Sequence, residues 1–325
     1  MPASCLTKTL LRRCTGVAIG LVLTAACAVC AQSYPTKPVR IITSGVGSAT
    51  DFVARTIASG LTPLLGQQVI VDNRASGFTP AETVARAAPD GYTLLSYGST
   101  VWIIPLLQNV PYDPVRDFAP IAITAKSPHV VVVHPALQVT TIKELIALAK
   151  AQPGTLNDAS LGTGTATHLG AELFKSMAGV NIVRIPYKSG ATQMADLVGG
   201  QVKLAFAGVG TVTQHLKAGR LRALAVTSAE RTDILPGVPT VAETLPGYES
   251  GATFVMFAPA RTPPVLIRRL NAEVVRVLNQ PDVKAKFIGV GLQVVGSTPE
   301  ELTATMNTER VRLGKLIRDA GIRVE

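Results

Sequence analysis

Short apolar stretches that suit buried strands alternate with amphipathic helical patterns along most of this chain. Residues 39–42 are apolar and β-branched, and residues 51–64 keep their large apolar side chains on one helical face. Such alternation is typical of α/β folds, in which helices cover mainly parallel sheets. Roughly nine or ten strands are predicted, which fit two sheets better than one. Both patterns lapse over residues 125–129 and 228–251, the predicted seams between two lobes.

Threonine-based capping signals mark where several of the predicted helices begin. A Thr whose side chain accepts a backbone N–H satisfies part of the unpaired first turn, and a Glu three residues later completes a capping box. The Thr-x-x-Glu spacing occurs at residues 79, 141 and 298. The predicted caps are Thr50, Thr79, Thr141, Thr165 and Thr298.

The first 31 residues have the layout of a secretory signal peptide. Three basic residues precede an uncharged, mostly apolar stretch over residues 16–28, and small residues at 29 and 31 suit cleavage before Gln32. The stretch is short for a membrane-spanning helix, which needs about 20 apolar residues. The sequence therefore predicts export and cleavage. A lipid anchor at Cys27 and an uncleaved anchor are the alternatives.

Cysteine and charge content narrow the function of the exported part. All four cysteines lie within residues 1–31, so the mature chain has no disulfide framework and no cysteine nucleophile. The chain has 31 Lys and Arg against 21 Asp and Glu, and residues 1–31 hold three of the basic and none of the acidic residues, which leaves a net charge of +7. Aromatic residues are 5%, too few for a base-stacking surface. A basic surface without such a groove argues against nucleic acid; an ordinary solvated surface is the simplest interpretation, and weak attraction of anionic ligands is the alternative.

Glycine and hydroxyl residues concentrate in three segments that follow predicted strands: residues 43–50, 98–100 and 162–165. In open α/β sheets, ligands bind beyond the carboxyl ends of the strands, where helix N-termini offer N–H groups to an anion. Glycine lets the backbone approach a ligand closely, and hydroxyls donate without charge. A capped turn that binds nothing is the alternative for each segment. The candidate ligand-binding residues here are Ser44, Gly45, Gly47, Ser48, Thr50, Ser99, Thr100, Thr163, Gly164 and Thr165.

Two further residues are candidates because of their neighbours. His168 lies three residues into the helix that Thr165 is predicted to cap, and Tyr187 follows a predicted strand. Either side chain could reach a ligand beyond the strand ends. The alternatives are a packing or capping role for His168 and an ordinary surface turn at Tyr187.

Sequence patterns for catalysis, metals and cofactors are weak. The histidines at 129, 134, 168 and 215 have no metal-binding spacing, and no Gly-x-Ser-x-Gly motif is present. Residues 45–50 mimic part of a dinucleotide fingerprint but lack its third glycine. The sequence therefore predicts no catalytic residue, no cofactor and no metal. An exported hydrolase with a Ser or Thr nucleophile in the same cleft is the alternative.

A set of long motifs, in a fixed order from about Tyr34 to the C-terminus, resembles the Bug-type substrate-binding receptors of tripartite tricarboxylate transporters. The motifs that carry the resemblance are YPTKPVR (34–40), VDNR (71–74), APDGYTLL (88–95), PYDPVRDF (111–118), LFKSMAG (173–179), PYK (186–188), LRALAVT (221–227), PGVPTVAE (236–243) and FAPA (257–260).

The resemblance implies a two-lobed periplasmic binding fold of the Venus-flytrap type. Residues 32–126 and 251–325 would form lobe 1, and residues 127–250 would form lobe 2. It also implies capture of a small carboxylate without catalysis, and delivery to the integral-membrane permease of a tripartite tricarboxylate transporter. The protein is expected to be a periplasmic monomer that binds no nucleic acid. A ligand-sensing module for a membrane kinase is the alternative role.

The sequence departs from the family pattern where the ligand should lie. Residues 43–51 are TSGVGSATD where the family usually has PFPPGGGTD, and Phe206-Ala207-Gly208 stands where the family has Phe-Asp-Asn. Ala207, also a candidate ligand-binding position, thus removes a carboxylate that could pair with an ammonium group. We expect a ligand that has no ammonium group.

A matched pair of ligands tests this expectation. Succinate and aspartate differ by one ammonium group, so calorimetric titration of the mature protein should show succinate binding more tightly, by about tenfold or more, because an unpaired buried ammonium is costly. Tighter binding of aspartate would refute the expectation.

Overall fold

The computed structural model describes residues 34–75, 77–187 and 189–323. The predicted signal peptide, with its four cysteines, lies outside the described residues. Within the described part, no helix has both the length and the apolar character needed to cross a membrane.

The described residues contain ten β-strands, and the fourth and the ninth along the chain are the longest. The strands are β1 (Val39–Thr43), β2 (Val69–Asn73), β3 (Thr93–Gly98), β4 (Phe118–Val133), β5 (Asn157–Ser160), β6 (Val183–Pro186), β7 (Leu204–Gly208), β8 (Arg222–Val226), β9 (Gly251–Pro259) and β10 (Gln293–Val294).

Ten α-helices and one short 3₁₀ turn (Val241–Glu243) connect these strands within the described ranges. The helices are α1 (Ala49–Leu65), α2 (Thr79–Ala85), α3 (Thr100–Leu107), α4 (Ile142–Ala151), α5 (Ala166–Ala178), α6 (Gly190–Val198), α7 (Val209–Lys217), α8 (Pro264–Leu278), α9 (Pro281–Gly289) and α10 (Pro299–Asp319).

Strand β4 belongs to two sheets. Its residues 118–128 pair with β9 in a sheet of order β2-β1-β3-β9-β4, with β10 also on β4; we call this part the first half. Its residues 129–133 pair with β7 and β8, and β7 continues to β5 and β6; this is the second half. The partners of β4 therefore change between Pro128 and His129. The chain is α/β, as predicted, and the exact lobe boundaries stay a prediction.

The sheets are mixed rather than mainly parallel. The β2-β1-β3 and β6-β5-β7 sets are parallel, but β9 and β4 run antiparallel to their neighbours. The predicted seam at residues 125–129 is wrong in one respect, because strand β4 runs through it without a break. The polar Lys126 and Ser127 interrupt the apolar pattern because the strand passes between the halves at this point.

The capping signals are confirmed at three helices. The side chains of Thr141, Thr165 and Thr298 each accept a backbone N–H three residues on, and Thr298 forms the complete box with its Glu. Ser48 rather than Thr50 caps α1, because its hydroxyl accepts the N–H of Asp51 and the helix already includes residue 50. Helix α2 starts at Thr79, one residue earlier than expected, so Thr79 is inside the helix and no side chain caps it.

Three apolar clusters build the core. The largest lies between the two halves and α3, α5 and α10, and includes Trp102, Phe174 and Leu313. The second covers the opposite face of the first sheet under α1, α8 and α9, and the third covers the opposite face of the second sheet under α6 and α7. Because α10 packs on both α3 and α5, the C-terminal helix ties the halves together along one side.

Thr227 joins the chain segments that cross between the halves. Its hydroxyl oxygen accepts the N–H of His129 at 2.9 Å and lies 2.8 Å from the carbonyl oxygen of Ser250, to which it donates. Its backbone N–H donates to His129 O and its carbonyl accepts Ser250 N. Thr227 is fully buried, so these groups have no water to replace a lost partner.

Replacing Thr227 by Val should destabilise the protein while leaving its volume nearly unchanged. The substitution leaves the buried His129 N–H and Ser250 carbonyl without this partner, at a cost of about 1–3 kcal/mol in the free energy of unfolding. Urea denaturation of T227V, with T227S as the control that keeps the hydroxyl, measures this cost. Equal losses in both variants would show that packing, not the hydroxyl, is responsible.

Candidate functional site

The carboxyl ends of the parallel strands in both halves point toward the same space. In the first half, β1 and β3 end at Thr43 and Gly98, and Gly98 lies opposite Phe254 near the start of β9. In the second half, β7 ends at Gly208, which lies opposite His129. Because both ends are next to the crossing of β4 and β9, we expect the loops that follow the parallel strands to face one cleft between the halves.

The first loop, residues 44–50, is folded onto its own hydroxyl groups. Ser44 Oγ lies 3.0 Å from Ser48 Oγ and also contacts Thr50 Oγ1, which is 2.9 Å from Ser48 Oγ. Ser44 is 6% exposed, whereas Val46 at the tip is 77% exposed. The hydroxyls thus shape the loop, and the first turn of α1 keeps backbone N–H groups at its exposed end.

A buried carboxylate anchors this loop from below. Asp51 accepts the N–H of Gly47 at 2.9 Å, the side-chain amide of Asn73 at 2.8 Å, and Arg55 Nε at 2.9 Å. Asn73 also donates to Ser44 O at 2.6 Å. Burial alone would raise the pKa of Asp51, but the hydrogen bonds from Asn73, Gly47 and Arg55 outweigh it and hold this pKa below its usual value. Asp51 is therefore ionised at neutral pH.

The second loop, residues 161–165, is held by Arg184 on the neighbouring strand β6. Arg184 Nη2 donates to Leu161 O at 2.9 Å, Nη1 donates to Thr163 Oγ1 at 3.2 Å, and Nε donates to Ser160 Oγ at 3.2 Å. Within the loop, Thr165 Oγ1 donates to Gly162 O at 2.8 Å. A guanidinium fork under the loop therefore fixes its start and its middle.

His168 lies behind the second loop rather than in the cleft. It is 3% exposed, its Nδ1 accepts the N–H of Gly164 at 3.1 Å, and its Nε2 lies 3.5 Å from Glu172 Oε1. The accepted N–H requires the neutral Nδ1 to be unprotonated, so Nε2 carries the proton. Direct ligand contact by His168 is thus blocked by the protein itself, and its observed contacts are those of a loop support.

The third segment, Ser99 and Thr100, begins α3 at the floor of the cleft. Ser99 is 4% exposed, and its N–H donates to Thr253 O at 2.8 Å. It borders a cavity of about 60 Å³ at the crossing, together with Lys126, Glu249 and Arg312. We call this space the hinge cavity.

Charges around the hinge cavity are already partnered by the protein. Lys126 Nζ lies 3.2 Å from Glu249 Oε1, and Arg312 Nη1 donates to Glu249 O at 2.8 Å. Trp102 is fully buried and donates Nε1–H to Glu309 Oε2 at 2.9 Å. Burial raises the pKa of Glu309, and the hydrogen bond from Trp102 offsets only part of this increase.

The two halves touch directly at the second loop. Gly164 is buried with a φ of +78°, and a Cβ placed there would overlap Leu107 Cδ1 at the end of α3. Only glycine combines this backbone conformation with such a close approach. The contact brings the second loop against the first half, so the cleft is narrow on this side.

An open groove lies at the carboxyl ends of β5 and β6, beside the second loop. It is lined by Leu161, Thr163, Arg184, Tyr187 and Ser189, among others. We call it the outer groove. It places the predicted Thr163 and Tyr187 together, and Tyr187 Oη donates to Asp196 Oδ2 at 2.8 Å.

The remaining predicted residues fall in different surroundings. Gly45, Gly47, Ser48 and Thr50 lie on the first loop described above. Ala207 is 4% exposed, on β7 opposite Val130 in the third apolar cluster, so its methyl group points into the core. Any contribution of Ala207 to binding would be through its backbone, and this stays a prediction.

Sequence reasoning missed Arg184 and Ser189. Arg184 is the one charged residue of β6, between Val183 and Ile185, in a strand whose end was already singled out. A charge in an otherwise apolar strand next to a glycine-rich loop is the signal that could have identified it. Among the described residues, no group of His, Asp, Glu or Cys is arranged to hold a metal ion.

Comparison with known proteins connects this geometry to a family. A family model described as tripartite tricarboxylate transporter family receptor matches residues 53–322. The structure of R. palustris Rpa4515 with adipate is 34% identical, with a TM-score of 0.74, and the match covers 89% of this chain and 99% of that one. MatC from Rhodopseudomonas palustris, with bound malate, is 27% identical with a TM-score of 0.69, covering 87% and 100%.

A third solved structure adds the compartment of a relative. The periplasmic binding protein BugD is 32% identical, with a TM-score of 0.71, over 90% of this chain and 100% of that one. Together these likenesses establish the α/β periplasmic binding protein fold, so the predicted fold class is confirmed.

Asp158, under the second loop, gives a prediction for pH dependence. It is 2% exposed, and its Oδ1 has no hydrogen-bond partner. Burial raises the pKa of Asp158 to about 7 despite the attraction of Lys175. An aspartate in the unfolded chain has a pKa of about 3.9, so the folded state binds the extra proton between roughly pH 4 and pH 7 and loses stability as the pH rises through this window.

Replacing Asp158 by Asn should therefore stabilise the protein at pH 8, on the order of 2–4 kcal/mol, because the neutral amide avoids burying a charge. The difference between variant and wild type should shrink steadily as the pH falls from 8 to 5, and it should approach zero only near pH 4. Thermal denaturation of both proteins across pH 5–8 provides the measurement. The same pH dependence in both would rule out Asp158 as its source.

Proposed function

This chain belongs to the tripartite tricarboxylate transporter receptor family, a family of binding proteins rather than enzymes, and from that premise we propose that it captures a small carboxylate in its cleft and delivers it to the membrane permease of such a transporter. The observation that supports the proposal is topological: each half has a glycine- and hydroxyl-rich loop after a parallel strand, and both sets of parallel strands end beside the crossing of β4 and β9. Neither loop carries a charged side chain at its tip.

The chemistry of both loops suits an organic acid. Helix α1 begins at the first loop and α5 begins at the second, so each brings unpaired N–H groups and the positive end of a helix dipole to the cleft. A carboxylate accepts several such N–H and O–H donors at once. The net charge of +7 expected for the mature chain favours the approach of anions.

Closure of the halves around the ligand would follow from this arrangement. A carboxylate that contacts both loops favours the closed state by the free energy of those simultaneous contacts. The close approach of Leu107 to Gly164 supports a narrow cleft that a bound ligand would complete. The permease would then meet a closed, loaded receptor.

The hydrolase alternative is contradicted by membership of a binding-protein family. The contacts of His168, the histidine nearest in sequence to the second-loop hydroxyls, agree with this. One of its ring nitrogens accepts the N–H of Gly164, and the other faces Glu172. A general base must instead reach the hydroxyl it activates.

Two finer statements belong to the proposal. We propose a ligand without an ammonium group, because Ala207 offers no carboxylate and the acids beside the hinge cavity, Glu249 and Glu309, already have partners. We also propose the periplasm as the location, reached through the predicted signal peptide; this is supported by the periplasmic relative BugD.

Removing single hydroxyls from the two loops should weaken binding without unfolding the protein. Ser44→Ala, Thr163→Ala and Thr165→Ala are each expected to lower affinity for the best-binding organic acid about 3- to 30-fold, the cost of one lost or misplaced hydrogen bond. Calorimetric titration against adipate, malate and succinate provides the measurement.

Thr141→Ala is the matched control, because Thr141 caps α4 through the same kind of bond as Thr165 caps α5 but follows the far end of β4. Each lost cap costs about 1 kcal/mol of stability. T141A should therefore lose stability as T165A does and keep full affinity. Unchanged affinity in all three loop variants would place the binding site elsewhere.

A further inference from the structure

Arg184 is the charged residue among the described residues that line the outer groove. It is half-buried on β6, and it lines the groove together with Leu161, Thr163, Pro186 and Tyr187. The contacts described above already give it one role, which is to hold the second loop. This role leaves some of its N–H donors and its positive charge available for another partner.

The first feature is its hydrogen-bonding capacity. A guanidinium carries five N–H donors, and the contacts to Ser160, Leu161 and Thr163 use one on each of its three nitrogens. One N–H on Nη1 and one on Nη2 are left over. End-on bidentate pairing of an arginine with a carboxylate uses one N–H from each of these two nitrogens.

The second feature is charge. Among the residues that the structure describes, no carboxylate lies within 4.0 Å of the Arg184 guanidinium, although the register pairs it with Asp158. Burial raises the pKa of Asp158 to about 7, so this neighbour is only partly ionised at neutral pH. Asp196, beside the groove, is occupied by the Tyr187 hydroxyl. The positive charge of Arg184 is therefore left without a close counter-ion.

We propose that Arg184 binds a second anionic group of the ligand, at the end away from the carboxylate that the two loops hold. The inference rests on the proposed function and adds a specificity-determining residue to it. The partly buried guanidinium would favour ligands with negative charge at both ends, because the described residues that line the groove include this cation and no carboxylate. Arg184 would then both hold the second loop and bind the second anionic group of the ligand.

The test compares Arg184→Gln with wild type on two probes, adipate and adipic acid monoamide, which have nearly the same shape but differ by one negative charge. Calorimetry should show that R184Q loses about 10- to 100-fold in affinity for adipate, as expected for a lost charge-assisted hydrogen bond. Affinity for the monoamide should also fall, because the loop loses its fork, but about tenfold less than affinity for adipate, because the monoamide lacks the charge that Arg184 pairs with.

Equal losses on both probes would overturn the inference, since an arginine that only holds the loop would affect any ligand equally. That outcome would leave the receptor function intact. If wild type binds neither adipate nor succinate nor malate, the carboxylate proposal fails and the inference falls with it.

Arg184→Lys keeps the inference testable if R184Q folds poorly. Lysine retains the charge but not the three-way fork, so R184K should keep the preference for adipate over its monoamide while binding both more weakly. In wild type, raising the salt concentration should weaken adipate binding more than monoamide binding, because only the diacid adds a second ion pair. Loss of the preference in R184K, or equal salt dependence for the two probes, would contradict direct pairing with the ligand.

Discussion

The hydrogen-bond ladder of strand β4 is the constraint on which the rest of the structure depends. Because one strand is shared by both sheets, the direction of every parallel strand is set relative to it, and the carboxyl ends of both sets meet at its midpoint. The crossing itself is tight. Pro128 lies opposite Gly251, and a Cβ on Gly251 would come within 2.9 Å of Ser127 O, so the backbones can approach here only without a side chain. A cleft lined by loops from both halves is the geometric consequence.

Sequence patterns predicted most of the elements, and the errors have physical causes. Helix α1 and strand β1 were predicted because the apolar residues of α1 repeat on one helical face and those of β1 form a short β-branched run. Helix α3 (TVWIIPLL) was missed because it is apolar nearly all round, and β5 (NDAS) because three of its four residues are polar although it is buried at its centre. The antiparallel course of β4 and β9 is a tertiary pairing, which periodicity cannot encode.

The composition of the two loops was easier to predict than the side chains that hold the loops in place. The glycine- and hydroxyl-rich loops follow their strands as expected, since turn composition is a local signal. The contacts of His168 with Gly164 and of Arg184 with Leu161 depend on the rotation of α5 and on the register of β6 against β5. A single sequence does not specify that register, so a residue predicted to touch the ligand proved to hold the loop, and the arginine that lines the groove went unnoticed.

Both loops are held in shape by protein groups, and this determines how binding energy can be used. Asp51 and Asn73 fix the first loop from its own half, whereas Arg184 and His168 fix the second from a neighbouring strand and helix. Burying such polar groups costs stability, as the raised pKa of Asp158 indicates, but preformed loops lose little conformational entropy when a ligand binds. On the proposed function, the free energy of ligand contact would go into closing the halves rather than into ordering the loops.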